Sequence, residues 1–340
     1  MSPEMLFHSP LDIRKAYETG FIGAMCDPAR TDELKAEIAR LGGVPEGAMA
    51  CSQFGLEETG KDKLTLLFLE IFKLYPDCLP GGAQGRGDCV SWSTRNACLG
   101  SMCAEINSGV PDEESGHLEG APQLSPEAIA NGVLSTEAFY NWRAHSGDGW
   151  YCSDAARVAM TKSGLWLRKN YAEINLDLTT YSAKNAGRYG GSPPPDSWLA
   201  IGRDHLVRTS TVLKSYEEVR DMLANGYGIS SCGSEGFSDQ RDANGVSRRS
   251  GSWGHAMAYL ACDDRPEIIK LYKEPLVLIQ NSWGNWNEGP RKVYGTSFNI
   301  PIGSFWSRWS DIKNRDMIAF SSVMGWPRQR LKSHGALGNI

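Results

Sequence analysis

Residues 277–286 of this 340-residue chain read VLIQNSWGNW. An uninterrupted apolar run that ends in an Asn-Ser-Trp-Gly turn predicts a short buried strand that closes at Asn281. Other short apolar runs bounded by turns extend the same pattern through the second half of the chain. Together they give the predicted strands 228–232, 256–262, 276–280 and 317–321.

The first half of the chain has a helical pattern instead. Apolar residues between Leu64 and Phe72 recur at helical spacing and stop before Pro76, and a second helical pattern runs from Val90 to about Ala104. Helices and strands therefore occupy separate parts of the sequence. The predicted fold class is α+β, with a mainly helical half and a mainly antiparallel β half.

Composition limits the classes of partner. The chain is 41% hydrophobic and 22% charged, which is enough to bury a sizeable core. Its formal net charge of -5 argues against nucleic acid as a partner, because nucleic-acid binding needs a basic face. The longest apolar stretch is too short to span a bilayer. The first residues lack the pattern of a secretory signal, so we expect a cytoplasmic or virion-associated protein without a membrane partner.

The cysteines predict neither a metal site nor a disulfide framework. The nine cysteines include no C-x-x-C pair and have no histidine at zinc spacing, so no metal and no cofactor are expected. An odd cysteine count in a chain without a signal argues against a full disulfide framework. Most of these cysteines are expected to be small buried side chains.

Two more stretches carry groups that nucleophilic catalysis needs. Residues 84–92 read QGRGDCVSW, which places Cys89 at the start of a helix, where free N–H groups favour a thiolate. Residues 252–260 read SWGHAMAYL, in which His255 leads into an apolar strand. An imidazole can take the thiol proton and later protonate the leaving group, and the Asn281 amide can hold the ring.

This order of residues resembles the papain-like cysteine proteases over roughly residues 78–323. The NSWG tetrapeptide after an apolar run is the most specific feature, and HAM at the start of a strand is the next. The resemblance implies that Cys89 is the nucleophile and that His255 is its base and acid. It also implies that Asn281 orients the imidazole, that Gln84 donates to the oxyanion, and that the site lies in a cleft between the two halves.

The resemblance assigns supporting roles as well. The stretch 147–171, GDGWYCSDAARVAMTKSGLWLRKNY, is similar to the glycine-rich substrate loop of the family and the helix that follows it. It implies that Gly147, Asp148 and Gly149 lie along the substrate backbone. Trp283 is expected to shield the hydrogen bond between histidine and asparagine from water.

The turn before the nucleophile departs from the family pattern. Gln84 precedes Cys89 by five residues rather than six, and Trp92 follows the cysteine by three residues rather than one. Arg86 stands where the family has a disulfide-bonded cysteine, which is consistent with a reducing compartment. Asp88 adjoins Cys89, and a nearby carboxylate raises the pKa of a thiol.

The resemblance also divides the chain into three parts. Residues 1–76 form an N-terminal helical extension, residues 77–326 the hydrolase domain, and residues 327–340 a basic tail. The extension is interpreted either as an inhibitory propeptide or as a docking segment that attaches the domain to a larger protein assembly.

The predicted function is hydrolysis of peptide bonds in a polypeptide substrate through a thioester acyl-enzyme. The alternative is an inactive papain-like domain that serves as a structural or assembly protein, for example in a viral or phage particle. A transglutaminase-like acyl transferase also uses cysteine and histidine, but it normally has aspartate as the third residue, so NSWG argues against it.

Overall fold

The computed structural model describes residues 9–21, 23–42, 55–108 and 125–321. The predicted tail 327–340 and parts of the extension 1–76 lie outside these ranges. The helices are α1 (Pro10–Glu18), α2 (Pro28–Gly42), α3 (Phe68–Leu74), α4 (Cys89–Ser108), α5 (Pro126–Ala130), α6 (Glu137–Tyr140), α7 (Cys152–Thr161), α8 (Ala183–Ala186), α9 (Asp196–Arg203), α10 (Tyr216–Ala224), α11 (Pro266–Tyr272) and α12 (Trp309–Ile312). The strands are β1 (Leu64–Leu66), β2 (Asn170–Tyr171), β3 (Leu176–Asp177), β4 (Ser210–Leu213), β5 (Gly228–Arg241), β6 (Ser247–Asp263), β7 (Leu276–Gln280), β8 (Ser304–Arg308) and β9 (Asp316–Phe320).

The β half is built on one seven-stranded sheet. Its strands follow the order β4-β9-β5-β6-β7-β8, and β1 adds to β6 beside this path. Every pairing in the sheet is antiparallel. The predicted α+β class, with a helical half, an antiparallel β half and a cleft between them, is confirmed.

The apolar stretch from residue 64 to residue 72 is not the single helix that its spacing predicts. Leu64–Leu66 pairs with residues 261–263 of β6, and helix α3 begins only at Phe68. All three residues of β1 are buried. A short apolar run fits a buried strand as well as a helix, and here the open side of β6 decides between them.

Helix α4 lies at the centre of the molecule and positions the site. It runs for 20 residues, and every residue from Cys89 to Glu105 is buried, so this part of the helix has no solvent-exposed face. The helix packs against both β5 and β6. Because the helix is enclosed on all sides, it buries polar side chains such as Arg95 and Asn96 together with apolar ones, and its N-terminal residue Cys89 lies at the boundary between the halves.

A disulfide joins Cys152, the first residue of α7, to Cys232 in β5, across 80 residues of sequence. The sequence analysis did not predict this bond. Two cysteines so far apart give no local signal, and connectivity cannot be deduced from spacing. Of the six free cysteines among the described residues, only Cys26 is exposed. No helix in these parts of the chain is both long enough and apolar enough to cross a membrane.

Candidate active site

Cys89 lies where the helical half meets the strand that carries the histidine. The backbone N–H of Ala256 donates to the Cys89 Sγ over 3.4 Å. Cys89 and His255 therefore lie next to each other, although 165 residues separate them in sequence. Both side chains are completely buried.

The hydrogen bonds of His255 define its tautomer. Nε2 lies 2.7 Å from the Oδ1 of Asn281, and the same Oδ1 accepts the backbone N–H of Ser282 over 2.7 Å. Because this atom accepts the N–H of Ser282, it is the oxygen of the Asn281 amide and can only accept hydrogen bonds. Nε2 of the imidazole therefore carries the proton. Nδ1 has no hydrogen-bond partner among the described residues. The ring is therefore held with Nδ1 as its basic nitrogen.

Aromatic rings surround this hydrogen bond. The ring of Trp283 lies on the imidazole of His255, with centroids 4.7 Å apart, and Trp253 lies on Trp283 at 4.9 Å. Trp283 is fully buried, as its predicted shielding role requires. Residues 253–256 and 281–283 together are called the imidazole wall below.

The facing side of the site is formed by residues 84–92 and 147–150, together called the nucleophile wall. The Gln84 Oε1 accepts the hydroxyl of Ser282 over 2.6 Å, so the side chain bridges to the imidazole wall. Its Nε2 donates to the carbonyl of Arg86 at 2.7 Å and to the hydroxyl of Tyr17 at 3.4 Å. The shortened turn thus still brings the amide of Gln84 to the atoms around Cys89.

An ion pair supports the nucleophile wall from behind. The Arg86 Nη2 lies 2.6 Å from the Oδ1 of Asp148, and both side chains are buried. The hydroxyl of Tyr140 accepts the N–H of Gly149 over 2.8 Å, and the carbonyl of Gly147 accepts Nε of Arg143 over 2.9 Å. These groups of the predicted substrate loop, residues 147–149, thus have partners within the protein. The next residue, Trp150, is the one whose backbone faces the cleft.

Residues 23–25 of the N-terminal extension, called the cleft segment, lie between the two walls. The N–H groups of Gly23 and Ala24 both donate to the carbonyl of Gly254, over 2.9 and 2.8 Å. Met25 donates to the carbonyl of Trp150 over 2.8 Å, and Trp150 donates back to the carbonyl of Gly23 over 3.0 Å. The segment therefore occupies the main-chain groups of both walls.

Tyr17 in α1 covers the two central side chains. Its ring lies 4.8 Å from that of His255, centroid to centroid, and its hydroxyl is hydrogen bonded to the thiol of Cys89. A Cβ on Gly23 would lie 2.1 Å from the Tyr17 hydroxyl and 2.7 Å from the sulfur of Cys89, so only glycine fits there. Sequence reasoning missed both residues, because nothing in helix α1 or in the segment after it indicates a contact with residues far along the chain.

Burial keeps both reactive groups neutral in this arrangement. Removal from water raises the pKa of Cys89 to about 12, and the charge of Asp88 adds to this rise. Burial likewise lowers the pKa of His255 to about 3, although the hydrogen bond to Asn281 opposes the shift. A thiolate–imidazolium pair is therefore absent at neutral pH while Tyr17 and the cleft segment are in place.

Asp88 is itself an unusual carboxyl group. It is completely buried, and it accepts the hydroxyl of Tyr181 over 3.0 Å. Burial raises the pKa of this carboxyl to about 8. Asp88 is therefore mostly protonated at neutral pH, and its repulsion of a thiolate at Cys89 increases as the pH rises.

Within the described ranges, no group of three or more His, Cys, Asp or Glu side chains could hold a metal ion.

No model of a known protein family matches the sequence, and no curated protein matches it. Several solved structures are similar to the chain. Xylellain, a cysteine protease from Xylella fastidiosa, is 16% identical with a TM-score of 0.46, over 77% of this chain and 86% of xylellain. Procathepsin B from Trypanosoma congolense is 13% identical with a TM-score of 0.49, over 92% of this chain and 89% of that chain. Procathepsin L2 from the larval midgut of Tenebrio molitor is 11% identical with a TM-score of 0.44, over 92% and 88% of the two chains. This chain is thus similar to solved structures of cysteine proteases.

Proposed function

We propose that this protein is a cysteine peptidase that hydrolyses peptide bonds through a thioester on Cys89. The observation that carries the proposal is the state of His255. Its Nε2 is hydrogen bonded to Asn281, so its Nδ1 is the basic nitrogen. The next residue in the strand, Ala256, contacts the sulfur of Cys89 through its N–H. An arrangement of nucleophile, base and orienting amide in this order supports acyl transfer.

The steps follow from these positions. The His255 Nδ1 takes the thiol proton, and the Cys89 Sγ attacks the carbonyl carbon of the scissile peptide bond. The Nε2 of Gln84 and a backbone N–H at the start of α4 donate to the resulting oxyanion. The imidazolium then protonates the leaving amine, which departs and leaves the thioester. Water, deprotonated by His255, cleaves the thioester and restores the thiol.

The described form is, in this proposal, a latent one, with the N-terminal extension acting as an inhibitory segment. Tyr17 and the cleft segment bury Cys89 and hold the main-chain groups that an extended substrate needs. Their departure would return water to the site. Rehydration lowers the pKa of Cys89 and raises that of His255, which favours the ion pair.

The test is the rate of iodoacetamide alkylation of Cys89 against pH, followed by peptide mapping, together with hydrolysis of a mixed peptide library. We compare the wild type with Gly23→Ala, because the added Cβ has no room and should displace the cleft segment. Gly55→Asn is the control, because a Cβ at that open, left-handed position meets nothing.

We expect slow alkylation in the wild type. In Gly23→Ala we expect fast alkylation below about pH 7, which the further change His255→Ala should abolish, together with cleavage of library peptides. Alkylation of Gly23→Ala no faster than that of an ordinary thiol of pKa about 8.5 would rule out the peptidase and leave the assembly role.

A further inference from the structure

The disulfide Cys152–Cys232 is attached to both sides of the cleft. Cys152 lies two residues after Trp150, whose backbone holds the cleft segment. Cys232 is paired with Ala256 across the β5–β6 ladder, and Ala256 is the residue whose N–H contacts the sulfur of Cys89. The covalent link therefore crosses from the helical half to the β half next to the nucleophile.

Side-chain contacts place the disulfide against helix α4. The Cys152 Sγ lies 3.7 Å from the Oγ of Ser230, and that Oγ lies 2.7 Å from the Oγ of Ser93. Ser93 is one helical turn beyond Cys89 on α4. Both disulfide cysteines are almost fully buried, at 4% and 2% exposure. The disulfide is therefore buried against α4, about one helical turn from the reactive thiol.

The main-chain groups of the cleft define where a substrate residue sits. The N–H and carbonyl of Trp150 and the carbonyl of Gly254 are satisfied by the cleft segment in this form. Once that segment leaves, these groups need new partners, and an extended peptide supplies them by strand addition. One substrate residue then takes the place of Ala24, between the two walls.

The residue that now occupies this place is small. Ala24 donates its N–H to Gly254, its two neighbours bond to Trp150, and its own exposure is 1%. The position is thus enclosed, and the chain fills it with a single methyl group. The disulfide joins the two elements on either side of this position, next to Trp150 on one side and opposite Ala256 on the other.

We propose that the Cys152–Cys232 disulfide fills the side-chain pocket beside the nucleophile, so that this position of the substrate accepts only Gly, Ala or Ser. The proposal rests on the peptidase function proposed above and adds its specificity. Forcing extra methylenes into a filled site costs about 10- to 100-fold in kcat/KM, so Leu and Phe should be discriminated against by that factor.

The experiment uses the full chain carrying Gly23→Ala and a library of peptides in which each position on the acyl side of the scissile bond is varied among Gly, Ala, Leu and Phe. We expect one position at which Gly and Ala exceed Leu and Phe by about 10-fold or more. The same chain with Cys152→Ala and Cys232→Ala should cleave the Leu and Phe peptides about 10- to 100-fold faster and the Gly and Ala peptides at nearly the same rate.

Two further variants separate the volume that the disulfide fills from the loss of buried cysteines and from the loss of the covalent link. Cys98→Ala with Cys103→Ala removes two buried thiols from α4 without touching the disulfide and should leave the profile unchanged. Cys152→Ala with Cys232→Val restores bulk without a covalent link and should return the preference for small residues. If the disulfide variants fail to fold, as circular dichroism would report, the profile of the disulfide-bonded chain alone decides.

The outcomes distinguish the two proposals. If Cys89 in the Gly23→Ala chain is alkylated no faster than an ordinary thiol and no peptide is cleaved, the peptidase function fails. If peptides are cleaved but every position accepts Leu or Phe as well as Ala, only the specificity proposal is overturned. A preference for small residues that persists in the chain with Cys152→Ala and Cys232→Ala overturns it too.

Discussion

The two walls of the cleft are held in place by different kinds of interaction. The nucleophile wall depends on buried ionisable groups, namely Asp88 and the pair of Arg86 with Asp148. The imidazole wall depends on a neutral hydrogen bond to Asn281 and on the ring of Trp283, which packs against the imidazole. Every departure from the family pattern that we noted in the sequence falls in the nucleophile wall. The wall with buried charge should therefore be the more sensitive of the two to pH and to substitution.

The largest expected effect concerns Asp88 and pH. Its pKa is raised in the folded chain from an ordinary value of 3.8 to about 8, so the folded state binds more protons than the unfolded state between these values. The resulting stability is fully present below about pH 4 and is lost as the pH rises through about 8. Asp88→Asn should therefore remove much of the difference in stability between pH 5 and pH 8.5, measured by urea unfolding.

Asp196→Asn, at an exposed position of α9, is the control and should leave that difference as it is in the wild type. Equal pH dependence in the wild type and in Asp88→Asn would mean that the carboxyl of Asp88 is not what makes the nucleophile wall sensitive to pH.

The next effect concerns the ion pair behind the nucleophile wall. Arg86→Ala leaves Asp148 buried without its cation, and breaking a buried pair in this way costs about 3–5 kcal/mol of the free energy of unfolding. Adding Asp148→Ala should recover part of that loss. Arg30→Ala, which breaks an exposed pair with Glu33, should leave the unfolding curve unchanged. An Arg86→Ala chain as stable as the wild type would contradict this account.

A smaller effect in free energy is expected in the imidazole wall. In the Gly23→Ala background, Asn281→Ala frees the ring of His255 to rotate and to change tautomer, and kcat/KM should fall about 100-fold, which is about 2.7 kcal/mol. Unfolding should be affected less than by Arg86→Ala. If kcat/KM stays within about threefold of the background, then Trp283 alone holds the ring, and the amide has no orienting role.

The smallest effect concerns the hydroxyl of Tyr17. Tyr17→Phe keeps the ring over His255 but removes the hydroxyl whose hydrogen bond lowers the pKa of the Cys89 thiol. That bond is worth about 1 kcal/mol, so alkylation of Cys89 should slow about fivefold. Tyr75→Phe, at a buried tyrosine whose hydroxyl has no partner among the described residues, should leave the rate unchanged. An unaltered rate in Tyr17→Phe would show that the hydroxyl does not stabilise the thiolate of Cys89.

The two walls also differ in how far sequence could predict them. His255 leads into the apolar part of β6 and Asn281 directly follows β7, and both apolar patterns are local, so the fold class and the positions of these residues could be inferred. The catalytic roles assigned to them stay predictions. The partners of the nucleophile wall come from distant parts of the chain, as with Arg86 and Asp148, which are 62 residues apart. Such pairs depend on tertiary packing, which spacing does not encode.

The same reason explains what was missed at the cleft. Tyr17 meets Cys89 only because the chain between α1 and α2 crosses the cleft, and no local pattern marks that path. The apolar spacing from Leu64 onward fitted a helix, but residues 64–66 form a strand because they pair with the edge of β6. In each case the deciding partner is a surface formed elsewhere in the chain.

The disulfide also has a consequence for folding. Cys89 and His255 lie on opposite sides of the 80-residue stretch that Cys152–Cys232 closes, so a chain that has formed this bond bypasses roughly half of the path between them. Halving a loop lowers the entropy cost of closing it by about 0.6 kcal/mol. A chain oxidised before it folds would then bring its two walls together about three times as often as a reduced chain, so the order of oxidation and folding influences how readily the site is assembled.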